Sequence, residues 1–174
     1  MQKPFNSSQT TKIPPRVTRP GHEPNQPLPN GFYAAESTLV HESLSLAGFQ
    51  WFDGDKVIMG KKLEFEVFLR PGQSQAGRWM VMGFPLYDMN APNAAEVCLH
   101  FLAEAFAMAH MLDFQYQVAI NMESEKLEFL IQLPLEKVTA SQLGELIRTF
   151  FDALAETILQ DLSEILNHFE AHPQ

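Results

Sequence analysis

The residues of this chain that could carry out chemistry are six histidines, one cysteine and two closely spaced pairs of carboxylates. Glu64 and Glu66 alternate on one side of an extended segment, where two carboxylates could act as a general acid and a general base. On a strand whose other side is apolar, such carboxylates are more simply the solvated side. Asp53 and Asp55 flank Gly54 as in a calcium loop, but apolar residues follow where more oxygen ligands are needed. We therefore predict a turn at the aspartates and a solvated face at the glutamates.

The histidines and the cysteine do not form a metal-binding pattern. His100 and His110 lie ten residues apart in one predicted helix, which separates their rings by about 15 Å along the helix axis. Cys98 is two residues from His100 and points away from it. A single cysteine makes neither an intrachain disulfide nor a cysteine-based zinc site, and burial within the helix would raise its pKa and leave it unreactive. We predict no metal and no cofactor.

Motifs for phosphate binding and acyl transfer do not occur either. The segment from Gly72 to Gly77 contains two glycines, but the Lys-Ser/Thr pair of a phosphate-binding loop does not follow it. No Gly-x-Ser-x-Gly turn occurs, which would present a nucleophilic serine. We therefore predict that the protein is not an enzyme. A small-ligand-binding domain remains an alternative, and it would require a deep pocket with convergent polar groups.

The net charge of −9 narrows the classes of partner. Residues 1–30 carry a balance of +3, which leaves −12 for the rest of the chain. So acidic a domain is repelled by phosphate backbones and by anionic membrane surfaces, whereas a basic protein partner suits it. The sequence contains neither an apolar run of about 18 residues nor the apolar stretch of a signal peptide. We predict no nucleic-acid binding, no membrane insertion and a cytoplasmic location.

Residues 1–31 differ in composition from the rest, because they hold seven of the twelve prolines and few apolar residues. Such a segment cannot bury enough apolar surface to offset the entropy of ordering it, so we predict a disordered arm. The alternative is a docking arm anchored by Ile13, Val17 and Leu28. Residues 32–174 are predicted to form a single domain.

Apolar periodicity predicts the elements of that domain. A helix is expected over 33–48, a short strand near 57–59, and an alternating strand over 61–71 that is followed by a loop up to Gly77. Phe68 interrupts the polar side of the alternating strand and marks an apolar patch. Another strand is expected over 78–88, with both sides apolar.

Four further elements complete the domain. A helix from about residue 94, apolar nearly all round, is predicted to be buried in the domain or against a second chain. A tight turn at Ser124 joins two strands in an antiparallel hairpin, which Pro134 ends. Thr139 or Ser141 then caps a last amphipathic helix of about 27 residues. The fold class is therefore α+β, with about five antiparallel strands and helices packed on them in the order α-β-β-β-α-β-β-α.

This order of elements resembles the type III secretion chaperones of the Tir-chaperone, or CesT-like, class. The resemblance rests most on residues 115–162, QYQVAINMESEKLEFLIQLPLEKVTASQLGELIRTFFDALAETILQDL, where a hairpin with an acidic turn leads through Leu-Pro-Leu into a long helix. The chain departs from the family in its Pro-rich arm and in the Asn-Ala-Pro-Asn loop at 90–93. The YbjN-like proteins, which share this fold without a role in secretion, are the related alternative.

The resemblance implies a homodimeric chaperone or adaptor that holds an extended segment of an effector protein. Strand addition would supply backbone hydrogen bonds, and apolar pockets would supply specificity. The expected partner-binding residues lie on the first helix and on the sheet: Leu39, Val40, Leu44, Phe65, Phe68, Trp79 and Val81. The expected dimer interface lies on the second helix: Leu99, Phe101, Ala105 and Met108. A regulatory protein of YbjN-like type, which binds a signalling partner, is the alternative function.

Overall fold

A computed structural model describes residues 26–108, 116–158, 160, 163–164 and 167, without the side chains at 101–102, 104–108 and 157–158. Ile13 and Val17 of the predicted arm lie outside the described residues, as do His22, His110, His168 and His172. The described elements, in chain order, are α1 (Ala34–Leu46), β1 (Gln50–Gly54), β2 (Val57–Lys62), β3 (Phe65–Ser74), β4 (Gly77–Asp88), α2 (Ala94–Met108), β5 (Tyr116–Asn121), β6 (Lys126–Pro134), α3 (Ala140–Ala153) and a π-helical segment (Leu154–Ile158).

The strands form a six-stranded antiparallel sheet in the order β1-β2-β3-β4-β6-β5. The predicted α+β class is confirmed, with one strand more than expected. The additional strand is β1, whose residues are mostly exposed on both sides. Because neither side of β1 is buried, its sequence has no alternation that would have identified it as a strand.

The predicted hairpin near the end of the chain is confirmed, and the predicted loop after Pro71 is wrong. Strand β3 continues to Ser74, with Pro71 paired to Met80 and Gly72 to Trp79. The indole of Trp79 covers Gly72 so closely that a Cβ atom there would lie 2.4 Å from the ring. An aromatic ring packed over a cross-strand glycine compensates for its missing side chain, which explains why the strand does not stop at Pro-Gly.

The two faces of the sheet have different environments. The first face is covered by α1 and α3, and its buried residues form the core together with them. Phe151 of α3 packs edge-on against Phe49 and Phe65, and Phe150 stacks on Phe129 of β6. The sheet residues fully or almost fully buried on this face are Ile58, Val67, Leu69, Met80, Met82, Phe84, Leu127, Phe129, Ile131 and Leu133.

The two covering helices begin with side-chain caps and cross at close range. The Glu36 carboxylate accepts a hydrogen bond from the Tyr33 backbone at the start of α1, and Thr139 and Gln142 cap α3 reciprocally, as predicted for Thr139. A Cβ atom at Gly144 would lie 3.0 Å from the Ser43 carbonyl oxygen, so the glycine permits this crossing. The predicted long last helix is confirmed as far as Ala153, where the π-helical segment follows.

Residues just before α1 also belong to the packed domain, although the sequence placed them in the arm. The Lys56 amide donates to the Pro29 carbonyl oxygen at 2.8 Å. Asn30 is 2% exposed, and its side-chain amide donates to Ser37 and to Asp53. The described chain therefore packs against the turn between β1 and β2 from about Leu28 onward.

A partly buried ion pair joins the start of α1 to the start of β4. The Arg78 guanidinium donates to both carboxylate oxygens of Glu36, at 2.7 and 2.6 Å, and lies over the ring of Tyr33. Burial raises the pKa of Glu36, but the hydrogen bonds from Arg78 and the Tyr33 backbone and the charge of Arg78 outweigh it and lower the pKa. The ionised carboxylate is thus favoured by the folded state.

This ion pair predicts a pH dependence of stability. A carboxyl group whose pKa is lowered by folding stabilises the fold above its unfolded pKa, and that contribution is lost as the pH falls through the folded pKa. Glu36→Gln should cost about 1–3 kcal/mol at pH 7, and the cost should shrink as the pH falls below about 5. Urea unfolding at pH 7 and pH 3.5 measures this. The exposed Glu42, changed to Gln, is the control, and a cost at Glu36 that stays constant would contradict the assignment.

Candidate partner-binding surface

The second face of the sheet, opposite α1 and α3, carries a row of apolar residues that crosses every strand except the edge strand β5. The register pairs Phe52 with Met59, Met59 with Phe68, Phe68 with Gly83, and Gly83 with Leu130. Gln117 of β5 ends the row. A shorter, parallel row pairs Gly72 with Trp79 and Trp79 with Pro134, and Val81, paired with Arg70 and Gln132, lies between the two rows. We call Phe52, Met59, Phe68, Trp79, Val81 and Leu130 the apolar surface.

Most side chains of the apolar surface are partly accessible. Phe52 is 59% exposed, and Met59, Trp79, Val81 and Leu130 are half-buried. A depression of about 250 Å³ on this surface is lined by Trp79, Val81, Leu130 and two glutamines, with Tyr116 and Ile131 at its margin. The glutamines, Gln117 and Gln132, contribute amide groups to the lining of this depression. Such a surface can pack against apolar side chains and hydrogen-bond to a peptide backbone.

Phe68, which we expected to be exposed on a charged face, is only 7% exposed. Its ring lies directly over Gly83, where a Cβ atom would come within 2.0 Å of the ring. The Arg70 guanidinium lies above the ring, with its central carbon 4.7 Å from the ring centroid. The expected exposure is therefore wrong, because the glycine on the neighbouring strand leaves room for the ring to lie flat. Phe68 is therefore the buried member of the apolar surface, packed over Gly83 and under Arg70.

The structure separates the other predicted partner-binding residues from Trp79 and Val81. Val40 and Leu44 are fully buried in the core, and Leu39 is half-buried against it. Phe65 packs edge-on against Phe151 of α3, on the first face. A groove shared by helix and sheet residues therefore does not form from this set, because α1 lies on the opposite side of the sheet. Of the seven predicted residues, only Phe68, Trp79 and Val81 share the second face.

The predicted dimer residues all lie on α2. Leu99 is 69% exposed, whereas the side chains of Phe101, Ala105 and Met108 lie outside the described part of the chain. Cys98 is buried, as predicted, with its sulfur 3.2 Å from that of Met89. Burial raises the pKa of the Cys98 thiol, which keeps it protonated and poorly nucleophilic.

One polar cluster was not anticipated from the sequence. The imidazole of His41 stacks on the indole of Trp51 at 3.6 Å, and its Nε2 lies 2.9 Å from Asp53. Burial raises the pKa of Asp53, but the hydrogen bonds from Asn30 and His41 outweigh it and lower the pKa. His41 lies on α1, 12 residues before Asp53 on β1, so no spacing within one element could have identified the cluster. The cluster fixes β1 to α1 and to the residues preceding α1.

The described residues contain no group of three histidine, cysteine or acidic side chains arranged to hold a metal ion. Among the described helices, none is both long enough and apolar enough to cross a bilayer. Comparison with models of known protein families finds no match for this chain. Comparison with curated proteins likewise finds no significant match.

Proposed function

We propose that this protein binds, without catalysis, an extended segment of another protein on its apolar surface. The observation that supports this proposal is the apolar row that crosses five strands and stays partly accessible beside Trp79 and Val81. Neighbouring strands lie about 4.8 Å apart, so the row across five strands is about 19 Å long. An extended peptide of about six residues spans that length.

The class of partner follows from the shape and charge of the surface. The depression beside Trp79, about 250 Å³ in volume, is smaller than the roughly 300–1,000 Å³ of typical small-molecule pockets. A shallow apolar row instead suits a polypeptide, whose alternate side chains can occupy successive positions along it. The acidic charge of the chain favours a partner with basic residues around the apolar ones.

Within this proposal, a cytoplasmic secretion chaperone or adaptor is the form that the resemblance to CesT-like proteins favours. The observed element order is the one on which the resemblance rests, apart from the additional strand β1. A homodimer formed through α2 is part of the proposal, and the exposure of Leu99 supports it. Light scattering should then give about twice the chain mass of 19.7 kDa. A YbjN-like regulator would use the same surface for a signalling partner.

The experiment that tests this function is a selection of random 12-residue peptides on the immobilised protein, followed by affinity measurements in solution. We expect enriched peptides to carry apolar or aromatic residues at alternate positions, because one side of an extended segment faces the row. Their binding should protect amides of β3 and β4 near Phe68 and Val81 from hydrogen exchange. Failure to enrich any sequence pattern, or protection confined to α1 and α3, would contradict the proposal.

A further inference from the structure

The sheet is split between β3 and β4, and the split forms a second groove. The two strands pair only from Phe68–Gly83 to the hairpin turn at Ser74–Gly77. Before Phe68, β3 pairs only with β2, and after Gly83, β4 pairs only with β6, within the described part of the chain. The two strands therefore diverge at this point. Beyond it, the edge of β3 that faces β4, and the edge of β4 that faces β3, form no backbone hydrogen-bond ladder with each other.

Local sequence explains the split. Pro85 has no N–H to donate and so cannot continue a ladder on β4. Directly after it, the pairing with β6 skips Leu86, which makes an irregularity between Pro85 and Tyr87. A β-bulge bends and twists the strand that carries it, and here it accompanies the divergence of β4 from β3. The groove between the strands has a volume of about 360 Å³.

The groove, which we call the slot, is lined by apolar and by charged residues. The apolar lining consists of Phe65, Phe84, Pro85, Leu86 and Tyr87. The charged lining consists of three carboxylates and a single lysine: Glu64, Glu66, Asp88 and Lys126. No ion pair engages these three carboxylates among the described residues. The slot therefore has an excess of negative charge, which a cationic occupant would offset.

We propose that the slot binds a short extended segment in which basic and apolar residues alternate. Such a segment would hydrogen-bond to the free edge of β3 at 65–67, where alternate residues direct their N–H and C=O groups away from β2. Its side chains would then point alternately to the two faces of the sheet. Apolar side chains would lie beside Phe65 and Phe84 on the first face, and basic ones beside Glu66 on the second.

This inference deepens the proposed function, on which it rests for a polypeptide partner, but it concerns a separate site. The apolar surface would take a segment of the partner with apolar residues at alternate positions, and the slot would take a separate segment in which basic and apolar residues alternate. Glu66 pairs with Lys61 across β2 and β3, so one lysine already lies beside the slot. The remaining excess of carboxylates is what selects a basic segment over an acidic one.

The test measures binding of a fluorescent acetyl-(Lys-Val)₄ peptide to the full chain at about 20 mM and 150 mM salt, which differ in screening. We expect saturable binding that weakens with salt, and little binding of (Glu-Val)₄ or of the block peptide Lys₄Val₄. The double variant Glu64→Gln/Glu66→Gln should bind the peptide at least about fivefold more weakly at low salt, because it removes two exposed charge pairs. Equal affinity for the alternating and block peptides would overturn the proposal.

A matched control distinguishes binding at the slot from attraction of the peptide to the overall negative charge of the chain. Glu42→Gln/Glu123→Gln removes the same charge from exposed positions elsewhere, and it should leave the affinity unchanged. An equal loss of peptide affinity in both double variants would overturn the proposal. A change in the oligomeric mass of the Glu64→Gln/Glu66→Gln variant would also overturn it, because the slot would then be an interface between copies of the chain. Trp79→Ala should not affect this peptide, so failure at the slot is distinguishable from failure at the apolar surface.

Discussion

Replacing Gly83 with valine should destabilise the fold by about 1.5–3 kcal/mol, the value of burying one phenylalanine side chain. A Cβ atom at this position would come within 2.0 Å of the Phe68 ring, so the ring must leave its place. Moving the ring into water forfeits its burial and its contact with Arg70. Urea unfolding at pH 7 measures the change, and the midpoint should fall without a change in slope.

A double-mutant cycle makes this prediction specific. In a Phe68→Ala background the ring is absent, so Gly83→Val should cost little, since valine itself suits a strand. Phe68→Ala alone should lose about as much stability as Gly83→Val alone. Additive losses in the double variant would show that Gly83 is required for another reason, and would contradict the packing of this ring over this glycine.

Trp79→Ala should weaken the binding of selected apolar peptides by about 30-fold, or about 2 kcal/mol, the scale of an aromatic hot spot at an interface. Trp79 lines the depression together with Val81 and Leu130, so its removal takes away the largest side chain that a bound peptide would contact there. Trp79→Phe should recover most of the affinity, because it keeps a flat apolar ring over Gly72. Isothermal titration measures all three affinities.

The other tryptophan provides the control for this result. Trp51 is 40% exposed, but its ring stacks on His41, and it pairs with Gly60 on the first face of the sheet. Trp51→Ala should therefore leave peptide affinity within about twofold of the original value, as expected of a site that makes no contact. A loss equal to that of Trp79→Ala would place the binding site elsewhere than on the apolar surface.

The sequence could predict those parts of the fold whose residues repeat with a helical or a strand period. Strand β6 alternates buried Leu127, Phe129 and Ile131 with more exposed residues along most of its length, and the stripe of α3 is buried at Leu143, Ile147 and Phe150. Both patterns follow directly from burial on one side. Strand β1 has no such pattern because neither of its sides is buried, and it could not be predicted.

The composition of the candidate site depends on features that periodicity does not encode. Periodicity shows which residues of α1 and of β3 are apolar, but not which face of the sheet the helix covers. The predicted groove consequently combined Val40 and Leu44, from the core, with Trp79 and Val81 from the opposite face. The exposure of Phe68 was also mispredicted, since it depends on the strand register that places Gly83 opposite its ring.

The most direct test of the account follows the fluorescence of Trp79 during peptide binding. The chain contains two tryptophans, so Trp51→Phe leaves Trp79, in the lining of the depression, as the only indole. Titration of this variant with a selected peptide should shift the Trp79 emission to shorter wavelength, because binding removes the half-buried indole from water. The dissociation constant obtained from this shift should equal the one obtained by calorimetry. Tight binding without any change in the emission of Trp79 would contradict the account.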